Sequence, residues 1–183
     1  MKFSPITFKD KLGRDVVIRN AEESDALALI DYLKITSMET PYLIRESEEV
    51  TITLELEISF INSKMLSDRE LLLVALIDGK QIGNCSLMCI APYNRFRHRC
   101  ELAIALYHEY CGCGIGTVMM ETLLDVAKIQ GYEQAELEVI SQNQRAIALY
   151  NKLGFKKYCT FPNSMKYRDG TYADSDWMMK TLL

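Results

Sequence analysis

In the first third of the chain, a short apolar run typical of a strand is followed by apolar residues at helical spacing. Residues 15–19 (DVVIR) form a short apolar run that predicts a strand. Ser24-Asp25 then gives a helix-start signal, and the apolar positions behind it recur at helical spacing until Thr40-Pro41 breaks the pattern. Residues 51–65 also carry apolar side chains at helical spacing. The pattern therefore predicts a strand, a helix, and then one longer helix or two short ones.

The next segment predicts consecutive strands. Residues 71–77 are a continuous apolar run that ends at Asp78-Gly79, a strong signal for a two-residue hairpin turn. Its partner strand covers residues 81–90, and residues 101–107 form a third strand after a basic loop. Strands that follow one another through short turns form a meander, so this part of the sheet is predicted to be antiparallel.

Helices and strands alternate in the remaining third. A glycine-rich turn opens a helix whose apolar positions continue to a C-cap signal at Gly131. Residues 135–140 predict a strand, Asn143 begins a second helix, and residues 155–158 and 172–182 predict two closing strands. Strand, helix and strand in succession imply a parallel crossover. The predicted class is α/β, or α+β where the antiparallel part dominates, with a mixed, mostly antiparallel central sheet flanked by helices.

Composition narrows the class of protein. With 183 residues, 49% of them apolar, the chain is expected to form a single domain over residues 1–183. A net charge of −4 argues against a nucleic-acid partner. The longest uncharged stretch, residues 81–94, is shorter than the roughly 20 apolar residues that span a membrane, and no signal-peptide run is found. We therefore expect a cytoplasmic protein without a membrane partner.

The six cysteines are irregularly spaced, and without an export signal they are expected to be reduced thiols. The Cys111-x-Cys113 pair could in principle bind a metal or take part in redox chemistry. The chain has only two histidines and no second pair of metal-ligand spacing, so we predict no metal site.

The segment richest in chemical information runs from residue 101 to residue 117. A predicted strand and a short turn lead into Cys111-Gly112-Cys113-Gly114-Ile115-Gly116-Thr117, which opens a helix. Successive N–H groups at such a helix start form a cradle for a phosphate or pyrophosphate. No Lys-Ser/Thr follows the last glycine, which excludes a P-loop, and the preceding antiparallel strands disfavour a dinucleotide fold. The alternative is that the glycines only permit close packing of the strand against the helix.

A second informative segment covers residues 136–155. Asn143 can cap the helix that starts there, and Tyr150 follows seven residues later, almost two full turns, so both side chains point the same way. Taken alone, Asn143 reads as a cap and Tyr150 as a core residue. Together with the glycine loop upstream, both become candidates for function.

These two segments resemble the Gcn5-related N-acetyltransferases (GNAT), which transfer an acetyl group from acetyl-coenzyme A to an amine. The resemblance extends over about residues 14–183 and is most specific over residues 101–155. The family's cofactor loop has the pattern Gln/Arg-x-x-Gly-x-Gly/Ala, and residues 111–116 (CGCGIG) fill it with a cysteine in first place. That departure predicts weaker cofactor affinity, whereas the backbone cradle is independent of it.

The resemblance implies a role for each matching residue, with acetyl-coenzyme A as co-substrate. The backbone of residues 104–106 pairs with the pantetheine arm, and the N–H of Leu106 polarises the thioester carbonyl. Tyr150 protonates the departing thiolate. The residues implied in cofactor binding are Ile104, Ala105, Leu106, Gly112, Cys113, Gly114, Ile115, Gly116, Thr117 and Asn143.

A general base is needed because an ammonium group must lose a proton before it can attack. Glu138 matches the position at which some family members carry a carboxylate base, and Glu101 on the neighbouring strand is the second candidate. Glu136 lies two residues from Glu138 on the same face, so each of these glutamates could also be merely solvated. We expect Glu138 to be the base, ahead of Glu101.

The predicted function is therefore acetyl transfer to a primary amine of a small molecule or amino acid, by direct attack in a ternary complex. Three alternatives stay open: a catalytically idle module that binds an acyl-coenzyme A as regulator, a protein or peptide N-acetyltransferase, and a redox or metal protein built on Cys111 and Cys113. The resemblance is also compatible with a homodimer.

Overall fold

The computed structural model describes residues 1–182, which form two compact units. The first unit comprises Met1–Met88 and Ala103–Leu123, and the second comprises Cys89–Leu102 and the chain from Leu124 onward. Leu183, the last residue of the predicted domain, lies outside the described residues.

The regular elements follow the order that the sequence pattern predicts, with one additional strand. The helices are α1 (Ala26–Glu39), α2 (Leu54–Leu66), α3 (Ile115–Ile129) and α4 (Gln144–Lys152). The strands are β1 (Ile6–Lys9), β2 (Asp15–Asn20), β3 (Leu71–Ile77), β4 (Lys80–Cys89), β5 (Arg99–Leu106), β6 (Gln134–Ile140), β7 (Lys156–Lys166) and β8 (Tyr172–Thr181).

In the first unit, β1, β2, β3 and β4 pair in sequence order, and each of these pairs is antiparallel. The hairpin between β3 and β4 turns through Asp78 (φ 51°) and Gly79 (φ 76°), the left-handed conformations that a two-residue turn of this type requires. Every residue of β3 is buried. Apolar side chains of α1 and α2 pack on this strand, with Leu29, Ile61 and Val74 in one cluster. Burial of this cluster stabilises the unit.

In the second unit, the beginning of β5 pairs in parallel with β6, as the predicted crossover requires. β6 pairs with β8 and β8 with β7, both antiparallel. The buried carboxylate of Asp176 on β8 accepts hydrogen bonds from Ser141 Oγ (2.9 Å) and Thr160 Oγ1 (2.8 Å). These bonds fix the end of β6, two residues before Asn143, against both strands of the terminal hairpin.

The predicted class, a mixed sheet with helices in the α/β arrangement, is confirmed. Two details differ from the predictions. β1 was not predicted, and β7 extends from Lys156 to Lys166, well beyond the expected residues 155–158. Among residues 1–182, no helix is both long and apolar enough to cross a membrane.

Candidate functional site

The end of β5 lies unusually close to β4. The N–H of Tyr107 donates to the carbonyl of Ile82 over 3.0 Å, and the β3–β4 register shifts at this point. A Cβ atom placed on Gly83 would lie 2.3 Å from Leu106 Cδ2 and 2.7 Å from the carbonyl oxygen of Ala105. Glycine is therefore the residue that permits this approach, which positions residues 104–106, the segment predicted to pair with pantetheine.

The turn after β5 is anchored to α1. The N–H of His108 donates to Glu39 Oε2 over 2.8 Å, and the N–H of Cys111 donates to the carbonyl of His108 over 3.1 Å. The Tyr107 ring packs edge-on against the buried Tyr32 ring of α1 at a centroid distance of 5.1 Å. The chain thus enters the glycine loop in a defined position.

The glycine loop presents backbone donors at the start of α3. Gly112 (φ 81°) and Gly114 (φ 90°) both adopt the left-handed conformation, which explains the glycines at these two positions. The N–H of Thr117 donates to the carbonyl of Gly114 over 3.1 Å. The N–H groups of Ile115 and Gly116 therefore precede the first bond of the helix and, with the helix dipole, suit an anion.

The cysteines of this loop point towards main-chain carbonyl groups. Cys111 Sγ lies 3.7 Å from the carbonyl oxygen of Tyr107, and Cys113 Sγ lies 3.8 Å from that of Cys111. All six cysteines are free thiols. Within the described part of the chain, no three histidine, cysteine or acidic side chains are grouped so that they could hold a metal ion. The donor set of the loop thus fits a phosphate group bound through the backbone.

A contact that the sequence did not indicate joins the β1–β2 turn to this loop. The N–H of Lys11 donates to the carbonyl of Cys113 over 3.0 Å. The guanidinium of Arg14 lies over the ring of Tyr110, 5.0 Å from its centroid. Because β1 was not predicted, nothing in the sequence pattern placed these two cations beside the loop.

In the second unit, Glu136 forms a buried ion pair. Its side chain is 1% exposed, and Arg99 Nη2 donates to Glu136 Oε2 over 2.7 Å while Arg99 Nε approaches Oε1. Gln134 Nε2 adds a further bond of 2.8 Å. Arg99 and Gln134 thus occupy both carboxylate oxygens of Glu136, so this side chain is neither solvated nor open to a substrate amine.

Glu101 has the surroundings of a base. It lies directly opposite Glu136 in the β5–β6 register. The Glu101 side chain is exposed, like that of Glu138, yet the protein around its carboxyl desolvates it and raises its pKa, and the negative charges of Glu138 and Glu136 raise it further. Glu138 lies opposite Trp177 of β8 and is exposed. The structure therefore brings the two predicted carboxylates, Glu101 and Glu138, within electrostatic reach of each other.

Asn143 and Tyr150 lie at the start and near the end of α4. Asn143 Oδ1 accepts the N–H of Ala146 over 3.2 Å, the cap that the sequence predicted, and this bond leaves the amide hydrogens of Asn143 outside the cap. Tyr150 is 7% exposed, and burial raises its pKa to about 12. Its ring packs edge-on against Phe155 at 6.0 Å. The phenol is therefore protonated at neutral pH.

Each unit contains part of the predicted set of site residues. The first unit contains residues 104–106 together with the loop 112–117. The second unit contains the remaining candidates, which are Glu101, Glu138, Asn143 and Tyr150.

Comparison with known proteins gives a consistent family assignment. The model of the acetyltransferase (GNAT) family matches residues 32–155. An N-alpha-acetyltransferase of Saccharolobus solfataricus is 28% identical over 170 residues, 92% of either chain. The L-amino acid N-acyltransferase MnaT of Escherichia coli is 24% identical over 165 residues, 90% of this chain and 93% of that protein. The crystal structure of a GNAT-family acetyltransferase from Streptococcus pneumoniae superposes with a TM-score of 0.86 at 28% identity, covering 91% of this chain and 99% of that one.

Proposed function

Since this chain belongs to the acetyltransferase (GNAT) family and is an acetyl-coenzyme A-dependent N-acetyltransferase, we propose that its acceptor is the primary amine of a small molecule or amino acid. The glycine loop, with left-handed Gly112 and Gly114 directly before α3, is the observation that carries the acetyl-coenzyme A part of the proposal. The acceptor class is supported by the similarity to MnaT, named for transfer to L-amino acids.

The first unit supplies the binding residues for acetyl-coenzyme A. The amides of residues 112–117 hold the pyrophosphate, and the backbone of residues 104–106 pairs with the pantetheine arm. The N–H of Leu106 polarises the thioester carbonyl and stabilises the negative charge that develops on its oxygen. The family resemblance also implies an amide contact from Asn143 to the cofactor. Acetyl-coenzyme A contributes an activated acyl group.

The second unit supplies the proton-transfer groups. Glu101 removes a proton from the acceptor ammonium, and its raised pKa makes it a stronger base than an ordinary carboxylate. The amine nitrogen then bonds to the acyl carbon, the carbon–sulfur bond breaks, and its electron pair leaves with sulfur. Tyr150 donates its proton to that thiolate, and the resulting phenolate takes up the second proton that the nitrogen loses as the amide forms. Burial raises the pKa of Tyr150 to about 12, so the phenol keeps its proton until the thiolate forms.

Calorimetric titration with acetyl-coenzyme A, followed by an amine panel read out by thiol release, tests the proposal. We expect one-to-one binding in the micromolar range and thiol release that depends on a small primary amine. Absence of binding at millimolar acetyl-coenzyme A would contradict the proposal. Binding together with thiol release only on peptides would identify a protein N-acetyltransferase instead, the activity for which the S. solfataricus relative is named.

Substitution of Tyr150 by Phe separates an enzyme from an idle binding module. The variant keeps the ring that packs on Phe155 and loses only the proton donor. We expect turnover to fall by about 10²- to 10⁴-fold while the dissociation constant of acetyl-coenzyme A is unchanged. Tyr132→Phe removes the hydroxyl of another buried tyrosine in the same unit and is the matched control. Unchanged turnover in Tyr150→Phe would remove Tyr150 from the mechanism.

A further inference from the structure

The β1–β2 turn covers one side of the glycine loop within the first unit. Besides the bond from the N–H of Lys11 to the carbonyl of Cys113 (3.0 Å), the Lys11 side chain runs across Gly114. A Cβ atom on Gly114 would lie 3.5 Å from Lys11 Cγ and 3.6 Å from Lys11 Cε. The Cγ to Cε part of the lysine stem therefore passes over the side of Gly114 on which a side chain would project.

The loop itself contains no basic side chain, since residues 111–117 read CGCGIGT. Its attraction for a doubly charged pyrophosphate would otherwise rest on backbone amides and the helix dipole alone. The nearest carboxylate along the chain, exposed Glu109, lies in the turn before the loop and opposes an anion. A cation beside the loop would offset that repulsion.

The two cations of the β1–β2 turn differ in their partners. Arg14 is committed, because its Nε donates to Asp10 Oδ2 over 2.8 Å and its guanidinium packs on Tyr110. Lys11 is exposed, and among residues 1–182 no carboxylate lies within 4.0 Å of its ammonium group. Of the two cations in the β1–β2 turn, Lys11 is therefore the one whose charge is unpaired among residues 1–182.

We propose that Lys11 binds the pyrophosphate of acetyl-coenzyme A and so replaces the basic or amide side chain absent at Cys111. This inference rests on the proposed function. A flexible ammonium is a good phosphate ligand as a point charge, and the backbone bond from Lys11 to Cys113 places this side chain beside the loop that presents the backbone amides. A residue from the N-terminal hairpin thus completes a loop that follows some hundred residues later.

Lys11→Met tests the inference, because it removes the charge and keeps both an unbranched apolar stem and the backbone bond to Cys113. Lys9→Met is the matched control: Lys9 lies in the same hairpin, is exposed, and pairs with Asp15 over 2.8 Å. We expect calorimetry at low salt to show about tenfold weaker acetyl-coenzyme A binding for Lys11→Met. The control should stay within twofold of the wild type, and Lys11→Arg should recover most of the affinity.

Two analogues that lack phosphate groups show which phosphate Lys11 contacts. Dephospho-coenzyme A retains the pyrophosphate and lacks the 3′-phosphate, so the tenfold effect should persist with it. Acetyl-pantetheine lacks all phosphates, and its turnover should be equal in wild type and Lys11→Met. An effect that disappears with dephospho-coenzyme A would overturn the pyrophosphate assignment, and an effect that persists with acetyl-pantetheine would overturn a phosphate contact altogether.

The outcomes separate this inference from the function on which it rests. Tight binding by both the wild type and Lys11→Met overturns the role of Lys11 and leaves the proposed function intact. No binding by the wild type contradicts the proposed function and the inference with it. Far-UV circular dichroism and a melting temperature equal to that of the wild type establish that Lys11→Met is folded. A folded Lys11→Met with weakened binding, beside an unaffected Lys9→Met, supports the inference.

Discussion

At the scale of single residues, the neighbours of a carboxyl group decide whether it can act as a base. Glu136 and Glu138 both lie on β6 and point to one face of the sheet, yet Glu136 is committed to Arg99. Glu101, opposite Glu136, forms no ion pair with any of residues 1–182, and its raised pKa follows from desolvation and the negative charges beside it. The sequence shows three similar strand glutamates, and only the family resemblance ranked Glu138 ahead of Glu101. The partners that distinguish the three side chains lie on another strand and leave no local signal in the sequence.

The dependence of kcat/KM on pH tests Glu101 as the base. Activity should fall on the acidic side as Glu101 becomes protonated, at a pH above the usual range for a glutamate because its pKa is raised. Glu138→Gln removes a negative neighbour, so the pKa of Glu101 should fall and the acidic limb should move to lower pH. Glu101→Gln should lower activity by about 10²- to 10⁴-fold and should abolish the fall in kcat/KM on the acidic side. Glu133→Gln, an exposed glutamate of the same unit, is the control.

Two results would reassign the base. An acidic limb that is abolished by Glu138→Gln would make Glu138 the base, as the sequence resemblance favoured. A limb that is retained in Glu101→Gln would exclude Glu101, since a side chain that no longer titrates cannot produce it.

At the scale of secondary structure elements, the position of β5 depends on a missing side chain on β4. Gly83→Ala would bring a methyl group against Leu106 Cδ2 and the carbonyl oxygen of Ala105. The carbonyl is main chain, so the clash can only be relieved if β5 moves. We expect a loss of about 1–3 kcal/mol in the free energy of unfolding, measured with denaturant, and weaker binding of acetyl-coenzyme A.

A glycine elsewhere on the same hairpin supplies the control for Gly83→Ala. Gly79 has nothing within 4 Å of its Cβ position, and asparagine tolerates its left-handed backbone, so Gly79→Asn should have little effect on stability or binding. If Gly83→Ala bound acetyl-coenzyme A with wild-type affinity, the close approach of β5 would have no part in the cofactor site.

The helices could be predicted from the helical spacing of their apolar residues. Most strands were marked by short apolar runs beside turn signals, as in fully buried β3, which ends at Asp78-Gly79. The two misses have physical reasons. β1 has only four residues and is half exposed, so its apolar signal is short. β7 contains Pro162, which normally argues against a strand, and Asn163, whose φ is 52°. The β7–β8 register shifts at this point, and β7 can accommodate both residues because it lies at the edge of the sheet.

At the scale of the whole molecule, a candidate residue could be predicted when it belongs to a contiguous motif, and could not when it depends on a partner far away in the sequence. The glycine loop and the Asn143–Tyr150 helix are contiguous motifs, so pattern alone located them. Lys11 lies some hundred residues before the loop that it contacts, and Arg99 reaches Glu136 from another strand. Contacts of this kind arise from tertiary structure, and a single sequence contains no local signal for them.

The six cysteines differ in how deeply they are buried. Cys85 and Cys100 are fully buried, and burial raises the pKa of the Cys85 thiol, whereas Cys159 is exposed. Since the thiolate is the reactive form, a thiol reagent should modify Cys159 rapidly in the native protein and reach Cys85 and Cys100 only on unfolding. Titration in denaturant without prior reduction should count six thiols, and elemental analysis should find no stoichiometric metal.

Binding of acetyl-coenzyme A should change the rate at which two of these thiols are modified. Cys111 and Cys113 belong to the loop assigned to the pyrophosphate, so acetyl-coenzyme A should slow their modification and leave the rate at Cys159 unchanged; peptide mapping by mass spectrometry distinguishes the three sites. Direct transfer requires that a Cys111→Ser, Cys113→Ser double variant retain turnover, because no acetyl-cysteine forms. Fewer than six thiols, a bound metal, or loss of turnover in that variant with unchanged cofactor affinity would instead favour chemistry on the cysteines.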